Sequence, residues 1–180
     1  FFGRTFMRSI LLFPYVGPVV ALAYTWELLL DPYSGTLNNL LLNFQVIQEP
    51  LNLLGQKYLT INFFGFDLKL RLALTTVIIF EIWRYFPLAF LFILARLQAV
   101  PKELYEAADV DGAGPVQKFV SITLPQITAV ISILFMIRFI WNFNKFEDIF
   151  LLTGGASGTL TLPISVYQQG FAISNIGMGS

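Results

Sequence analysis

Three long apolar runs separated by short polar stretches organise this chain. The first extends from Met7 to Leu30, with Arg8 early and Glu27 late. Its length suits a membrane-spanning helix, which needs about 20 residues. Pro14 and Pro18 predict kinks, which a bilayer tolerates where neighbouring helices or water satisfy the freed backbone groups. The second run, Leu70 to Val100, is long enough to span with tilt, and carries Glu81, Arg84 and Pro87 near its middle. Glu81 and Arg84, at i and i+3, share a helix face and predict an ion pair. The third run, Phe119 to Leu152, is too long for one straight span. Its pattern predicts an interfacial stretch that turns at Pro125, followed by a span. Arg138, Asn142, Asn144, Lys145, Glu147 and Asp148 fall in its second half. Thr153 to Gly158 reads as a closing loop, and Thr159 to Phe171 begins a last element.

Between the first two runs, Asp31 to Lys69 reads as a mixed loop with no folded domain of its own. Asp31-Pro32-Tyr33-Ser34-Gly35 is a turn signal. Thr36 to Leu42 predicts a short amphipathic helix capped by Thr36, and Asn62 to Asp67 is a second turn-rich patch. Between the second and third runs lies a polar island. Glu103, Glu106, Asp109 and Asp111 bring four acids into nine residues, followed by Gly112 and Gly114. Pro101 ends the preceding helix and pre-sets a turn. Lys102 to Val110 reads as a short helix with an apolar face of Leu104, Ala107, Ala108 and Val110. Gly112 and Gly114 permit a sharp turn back toward the third run.

Composition turns apolar runs into membrane spans. The chain is 56% hydrophobic and only 12% charged, against about a quarter charged for ordinary soluble domains. One core in 180 residues does not account for that deficit. The 19 Phe and 3 Trp suit lipid-facing surfaces and interfacial belts. Without Cys there is no disulfide, thiol or zinc-finger chemistry, and without His the commonest general base and metal ligand are missing. Zero net charge gives no nucleic-acid footprint. Arg4, Arg8, Arg96, Lys102 and Lys118 flank one side; Lys57, Lys69 and Arg71 flank the other. By the positive-inside tendency the acidic island faces the cytoplasm. The chain opens on Phe1 and closes on a polar stretch at Ser180, and reads as an internal piece of a longer membrane protein.

Ionisable groups at membrane depth cost several kcal/mol unless paired, and so are candidates for function. Here they are Glu81, Arg84, Arg138, Lys145 and Glu147. Snorkelling or structural pairing is the competing account. Trp83, Tyr85, Phe86, Trp141, Phe143 and Phe146 lie among them. Ring faces stack on sugar C–H faces while Asn, Glu and Arg bind hydroxyls, so the mixture suits sugar-like ligands; the same rings also suit lipid. An intramembrane enzyme using Glu81, Glu147 and Asp148 finds no supporting His, Cys or metal pair. A non-transport scaffold whose loop docks a cytoplasmic partner is a further class. No phosphate-cradling glycine loop with Lys and Ser/Thr occurs, so any ATP chemistry belongs to another chain.

One set of residues resembles a family. Glu106-Ala107-Ala108, Asp111-Gly112-Ala113 and Ile122-Thr123-Leu124-Pro125 resemble the EAA loop of the membrane subunits of ATP-binding-cassette importers. Ile82-Trp83, Leu97-Gln98, Val100-Pro101 and Glu103-Leu104-Tyr105 extend the likeness to the carbohydrate branch, that of maltose and other sugar permeases. Phe13-Pro14-Tyr15 with Pro18, Asn142-Phe143-Asn144-Lys145-Phe146 and Leu151-Leu152-Thr153-Gly154-Gly155 are similar to the same branch, in the same order.

The resemblance implies an all-α, polytopic transmembrane helical bundle with a partial MetI-like type I importer core. Residues 1–180 would form the permease domain and residues 101–118 its cytoplasmic EAA coupling loop. The implied partners are a second permease subunit, two ATP-binding-cassette ATPase subunits, an extracytoplasmic sugar-binding protein and membrane lipid. ATP and Mg would be bound by the ATPase chains, with no cofactor, catalytic residue or metal here. The implied location is a bacterial or archaeal plasma (inner) membrane. Glu103, Glu106, Ala107, Ala108, Asp109, Asp111 and Gly112 would couple to the ATPase. Tyr15, Val19, Arg84, Tyr85, Leu88, Arg138, Trp141, Asn142, Lys145 and Glu147 would line the substrate pathway. Charges at Arg84, Arg138, Lys145 and Glu147 stand where maltose permeases are neutral. That leaves a polyol or phosphorylated polyol as the alternative to a sugar.

Overall fold

The computed structural model describes residues 3–63 and 66–172. Nine α-helices dominate the described residues: α1 (Arg4–Val16), α2 (Val19–Leu30), α3 (Thr36–Asn43), α4 (Leu72–Gln98), α5 (Lys102–Val110), α6 (Pro115–Lys118), α7 (Leu124–Phe143), α8 (Glu147–Thr153) and α9 (Leu162–Tyr167). π-helical segments cover Phe119–Thr123 and Gln168–Ala172. The chain divides into two compact units. One joins the start of the chain, up to Tyr15, to Tyr85–Asn142; the other joins Val16–Arg84 to the segment from Phe143 onward.

Two helical runs are long and apolar enough to cross a membrane: α4, and the continuous stretch Pro115–Phe143. A third exists if α1 and α2 count as one broken span. The 27 residues of α4 make a helix about 40 Å long at 1.5 Å per residue. That exceeds a hydrocarbon core of about 30 Å, so α4 fits with tilt or a projecting end.

The prolines act differently from one another. Pro14 lies inside α1, whereas the first run breaks at Gly17-Pro18, between α1 and α2. Pro87 is buried within an uninterrupted α4. Pro125 does not produce the expected turn. The helix stays continuous because the segment before it widens to π geometry, with the Leu124 N–H bonded to the Phe119 carbonyl. Proline has no N–H to give and its ring crowds the carbonyl four residues back; the wider turn moves the carbonyls in question. The third run instead ends at Phe143, and α8 is a separate helix.

The loop between the first two runs is more ordered than its composition suggests. Asp31 accepts hydrogen bonds from the Tyr33 and Ser34 amides and the Ser34 hydroxyl. The Ser34 bonds chiefly hold its carboxyl below the ordinary value of 3.8. The α3 helix forms, but its N-cap is Gly35, not Thr36, and it has no side-chain cap. A Cβ at position 35 would run into the Asp31 backbone, so this close approach requires glycine. Asn38 is buried and bridges the loop, donating to the Asp31 and Leu51 carbonyls and accepting from the Leu51 amide. An antiparallel hairpin, β1 (Leu59–Phe63) and β2 (Phe66–Leu70), is an addition to the expected all-helical picture. The expected turn-rich patch Asn62–Asp67 supplies its strand ends; Phe64 and Gly65 lie outside the described residues.

The second unit contains a cluster of buried apolar residues. Leu22 and Ala23 of α2, Val77 and Phe80 of α4, Ile149 and Leu152 of α8 and Ile164 of α9 pack together. Trp26, Phe80 and Trp83 add ring contacts at 5.3 to 6.1 Å. This packing fixes α8 against α2 and α4 and so positions the charged groups at its start.

Candidate functional site

The acidic island folds as expected. The helix α5 covers Lys102–Val110 after an N-cap at Pro101, with Glu103 in its first turn, where a negative charge is favoured by the helix dipole. None of its residues is buried. Glu103, Glu106, Ala107, Asp109 and Val110 are exposed, and Ala108 is half-buried. Leu104 is 42% exposed and Val110 90%, so an apolar stripe with flanking acids is displayed for contact.

The end of α5 explains why the island carries a glycine at position 112. The Gly112 amide bonds the Asp109 carbonyl and the Ala113 amide bonds the Ala108 carbonyl, the paired pattern of a Schellman C-cap. That motif requires a left-handed residue, and Gly112 has φ +74°. Gly114 does not share this role: at φ −70° and ψ 166° it is extended and caps α6. Lys118 forms an ion pair with Asp109, and Tyr105 shares a 2.9 Å hydrogen bond with Thr123. Arg96, in the last turn of α4, donates to the Gln126 carbonyl at 3.1 Å and to its side-chain oxygen.

The proposed pathway residues divide between the units. Tyr15, Tyr85, Leu88, Arg138, Trp141 and Asn142 fall in the first; Val19, Arg84, Lys145 and Glu147 fall in the second. In the first, the Arg138 guanidinium lies over the Tyr85 ring, 3.7 Å from its centroid. Tyr15 meets Tyr85 edge-on at 6.2 Å. Arg138 also donates to Asn142 Oδ1 at 3.4 Å. A desolvated guanidinium over a ring gains about 2 kcal/mol, which offsets part of the cost of placing Arg138 within a span. Trp141 is 46% exposed and Leu88 half-buried.

In the second unit, Arg84 and Lys145 both pair with Asp148, and Lys145 reaches Glu81 at 3.2 Å. Two acids and two cations form one self-compensating cluster. It is centred on Asp148, which is 1% exposed. The expected Glu81–Arg84 face thus extends to residues from α8 and the break before it. Glu147, expected on the substrate pathway, is exposed, while the adjacent Asp148, which is not among the expected pathway residues, is the buried one. At about 100° of rotation per residue, adjacent helical positions cannot share a direction. The i,i+3 spacing of Lys145 and Asp148 was the available signal. Val19 is half-buried and takes no part in this cluster's ion pairs.

Comparison with known proteins agrees in fold and sequence. The chain is 35% identical to the inner membrane ABC transporter permease protein YcjO of Escherichia coli over 98% of its length. It is likewise 35% identical to the trehalose/maltose transport system permease protein MalF of Thermococcus litoralis over 99%. With the sn-glycerol-3-phosphate transport system permease protein UgpA of Yersinia pseudotuberculosis the identity is 33% over 94%. It spans only 57%, 56% and 53% of those proteins. A crystal structure of a bacterial ABC transporter that imports the acidic polysaccharide alginate contains a chain of the same fold. The TM-score is 0.72 and the identity 21%, covering 98% of this chain and 57% of that one. The family model for the inner membrane component of binding-protein-dependent transport systems matches residues 1–178, and the chain belongs to that family.

Proposed function

We propose that this chain is part of the membrane-spanning permease subunit of an ATP-driven sugar importer, forming half of the translocation pathway and coupling to separate ATPase subunits. The observation that carries the reading is α5. It is a short, exposed helix bearing Glu103 and Glu106 beside Leu104, Ala107 and Val110, locked by a glycine cap at its end. Such a surface suits a groove on a partner that moves it as a rigid body. Family membership supports the extracytoplasmic binding protein as a partner. The second permease subunit, the two ATPase chains with ATP and Mg, and a bacterial or archaeal plasma membrane follow from the same reading. The chain is a transport component with no catalysis of its own.

The charge cluster favours a neutral solute over a phosphorylated one. Arg84 and Lys145 are engaged by Asp148 and Glu81, so neither cation is presented to a phosphate without a competing carboxylate. A sugar is therefore preferred over the phosphorylated polyol suggested by the relative that transports sn-glycerol 3-phosphate.

The test is reconstitution of the full-length subunit with its second permease, ATPase and binding protein in proteoliposomes. Trehalose, maltose and sn-glycerol 3-phosphate are offered in turn. ATP-dependent uptake of a neutral sugar is expected. Uptake of the phosphorylated polyol alone overturns the sugar reading. ATP hydrolysis that no loaded binding protein stimulates overturns the importer reading and favours a scaffold.

A further inference from the structure

The inner side of α5 holds a second device. Only Tyr105 and Ala108 among the α5 residues are half-buried; the others are exposed. Ala108 has no polar group in its side chain, so the Tyr105 hydroxyl is the directional link from this face. It reaches Thr123, the last residue of the π-helical segment Phe119–Thr123. Three residues on, Gln126 is gripped by Arg96 from the end of α4. Pro125, which has no backbone N–H to donate, lies between these two attachments.

The helix leading into α7 is therefore held by α5 at position 123 and by α4 at position 126. Any displacement of α5 against α4 is applied to the end of the widened segment at Thr123 and across the following residues, where Pro125 has no N–H to give. A π turn holds one residue more than an α turn. Moving or relaxing it re-registers the helix beyond without breaking it, and such turns recur at functional positions. The Lys118–Asp109 pair is a poor substitute for this link. Asp109 is 66% exposed, and exposed pairs are weak and salt-screened.

We propose that the Tyr105–Thr123 hydrogen bond is the strut that carries displacement of α5 into α7, and that the π-helical segment is the compliant element on which it acts. Tyr105 and Thr123 are positioning residues in this scheme, which rests on the permease reading above.

The experiment compares sugar uptake per ATP hydrolysed, and co-purification of the ATPase, in the complete wild-type assembly and in Tyr105→Phe, Thr123→Val, Thr123→Ser and the double variant Tyr105→Phe/Thr123→Val. Uptake per ATP is expected to fall about fivefold in the first two, the factor a single hydrogen bond typically carries. ATPase co-purification should be unchanged. Thr123→Ser keeps the hydroxyl and should restore coupling, and the double variant should be no worse than either single. Wild-type uptake per ATP in Tyr105→Phe, additive losses in the double variant, or loss of the ATPase on purification would overturn the strut. A wild-type assembly that hydrolyses ATP without uptake removes the permease reading, and the strut with it.

Discussion

Arg84 on α4 is paired with Asp148 on α8, 64 residues further along the chain. Asp148 is also the point where Lys145 enters the cluster, so it balances two cations at once. Removing one member of a buried ion pair typically costs about 3 to 5 kcal/mol, because the remaining charge stays desolvated. Asp148→Asn should therefore lower the thermal stability of the purified assembly sharply. Glu147→Gln, one residue earlier and exposed, should stay within about 0.5 kcal/mol of wild type. Equal losses in the two variants would mean that the buried cluster does not depend on Asp148 in particular.

Arg138 and Tyr85 test whether the first unit holds its cation through the ring. A lysine at 138 keeps the charge but loses the planar stack and the geometry toward Asn142. Arg138→Lys and Tyr85→Leu should each cost about 1 to 2 kcal/mol. Together they should cost less than the sum of the two, since both remove one interaction. Thermal unfolding of the three variants in the same detergent measures this. Full additivity would mean that Arg138 gains nothing from the ring.

Gly112 separates backbone strain from crowding. A Cβ there meets nothing within 4 Å, so substitution acts through φ alone. Gly112→Ala should weaken the end of α5 by about 1 to 2 kcal/mol. Gly112→Asn should cost less, because Asn tolerates the left-handed region better. Hydrogen exchange at the Gly112-position and Ala113 amides reads the cap directly. Faster exchange in the Asn variant than in the Ala variant would contradict this account.

Local signals were the legible part of this chain. Lys102–Val110 was readable because amphipathic spacing, Pro101 and Gly112 are all contained within a dozen residues. The two long spans were readable for the same reason, through unbroken apolar length. The hairpin was also present in the sequence: Phe66-Asp67-Leu68-Lys69-Leu70 alternates apolar and polar residues, as a strand does. A reading dominated by helical spans passed over it. Three further features depend on packing. Whether Pro125 bends a helix or is absorbed by a wider turn depends on the hydrogen bonds around it, including those from Tyr105 and Arg96. Which of Glu147 and Asp148 turns inward depends on where α8 begins and what it packs against. The burial of Asn38 depends on a loop segment 13 residues away.

Glu106 tests the outer face of α5, where charge and apolar contact are offered together. Exposed charges at an interface chiefly govern encounter and its salt dependence, while truncation of apolar contacts acts mainly on dissociation. Glu106→Lys reverses a charge at the centre of the exposed face without touching Tyr105 or the Gly112 cap. The helix should therefore remain folded and the subunit should insert normally. If the ATPase groove is basic, association should weaken about tenfold or more at low salt, because like charges placed opposite one another cost at least 1 kcal/mol. The deficit should shrink as ionic strength rises and the Debye length falls to about 3 Å at 1 M. Leu104→Ala, by contrast, should weaken association by an amount that does not diminish with salt, since it removes apolar area. Co-purification of the ATPase across a salt series distinguishes the two. A Glu106→Lys deficit that does not change with salt would mean that the acid acts through the fold of α5 and not through a basic partner.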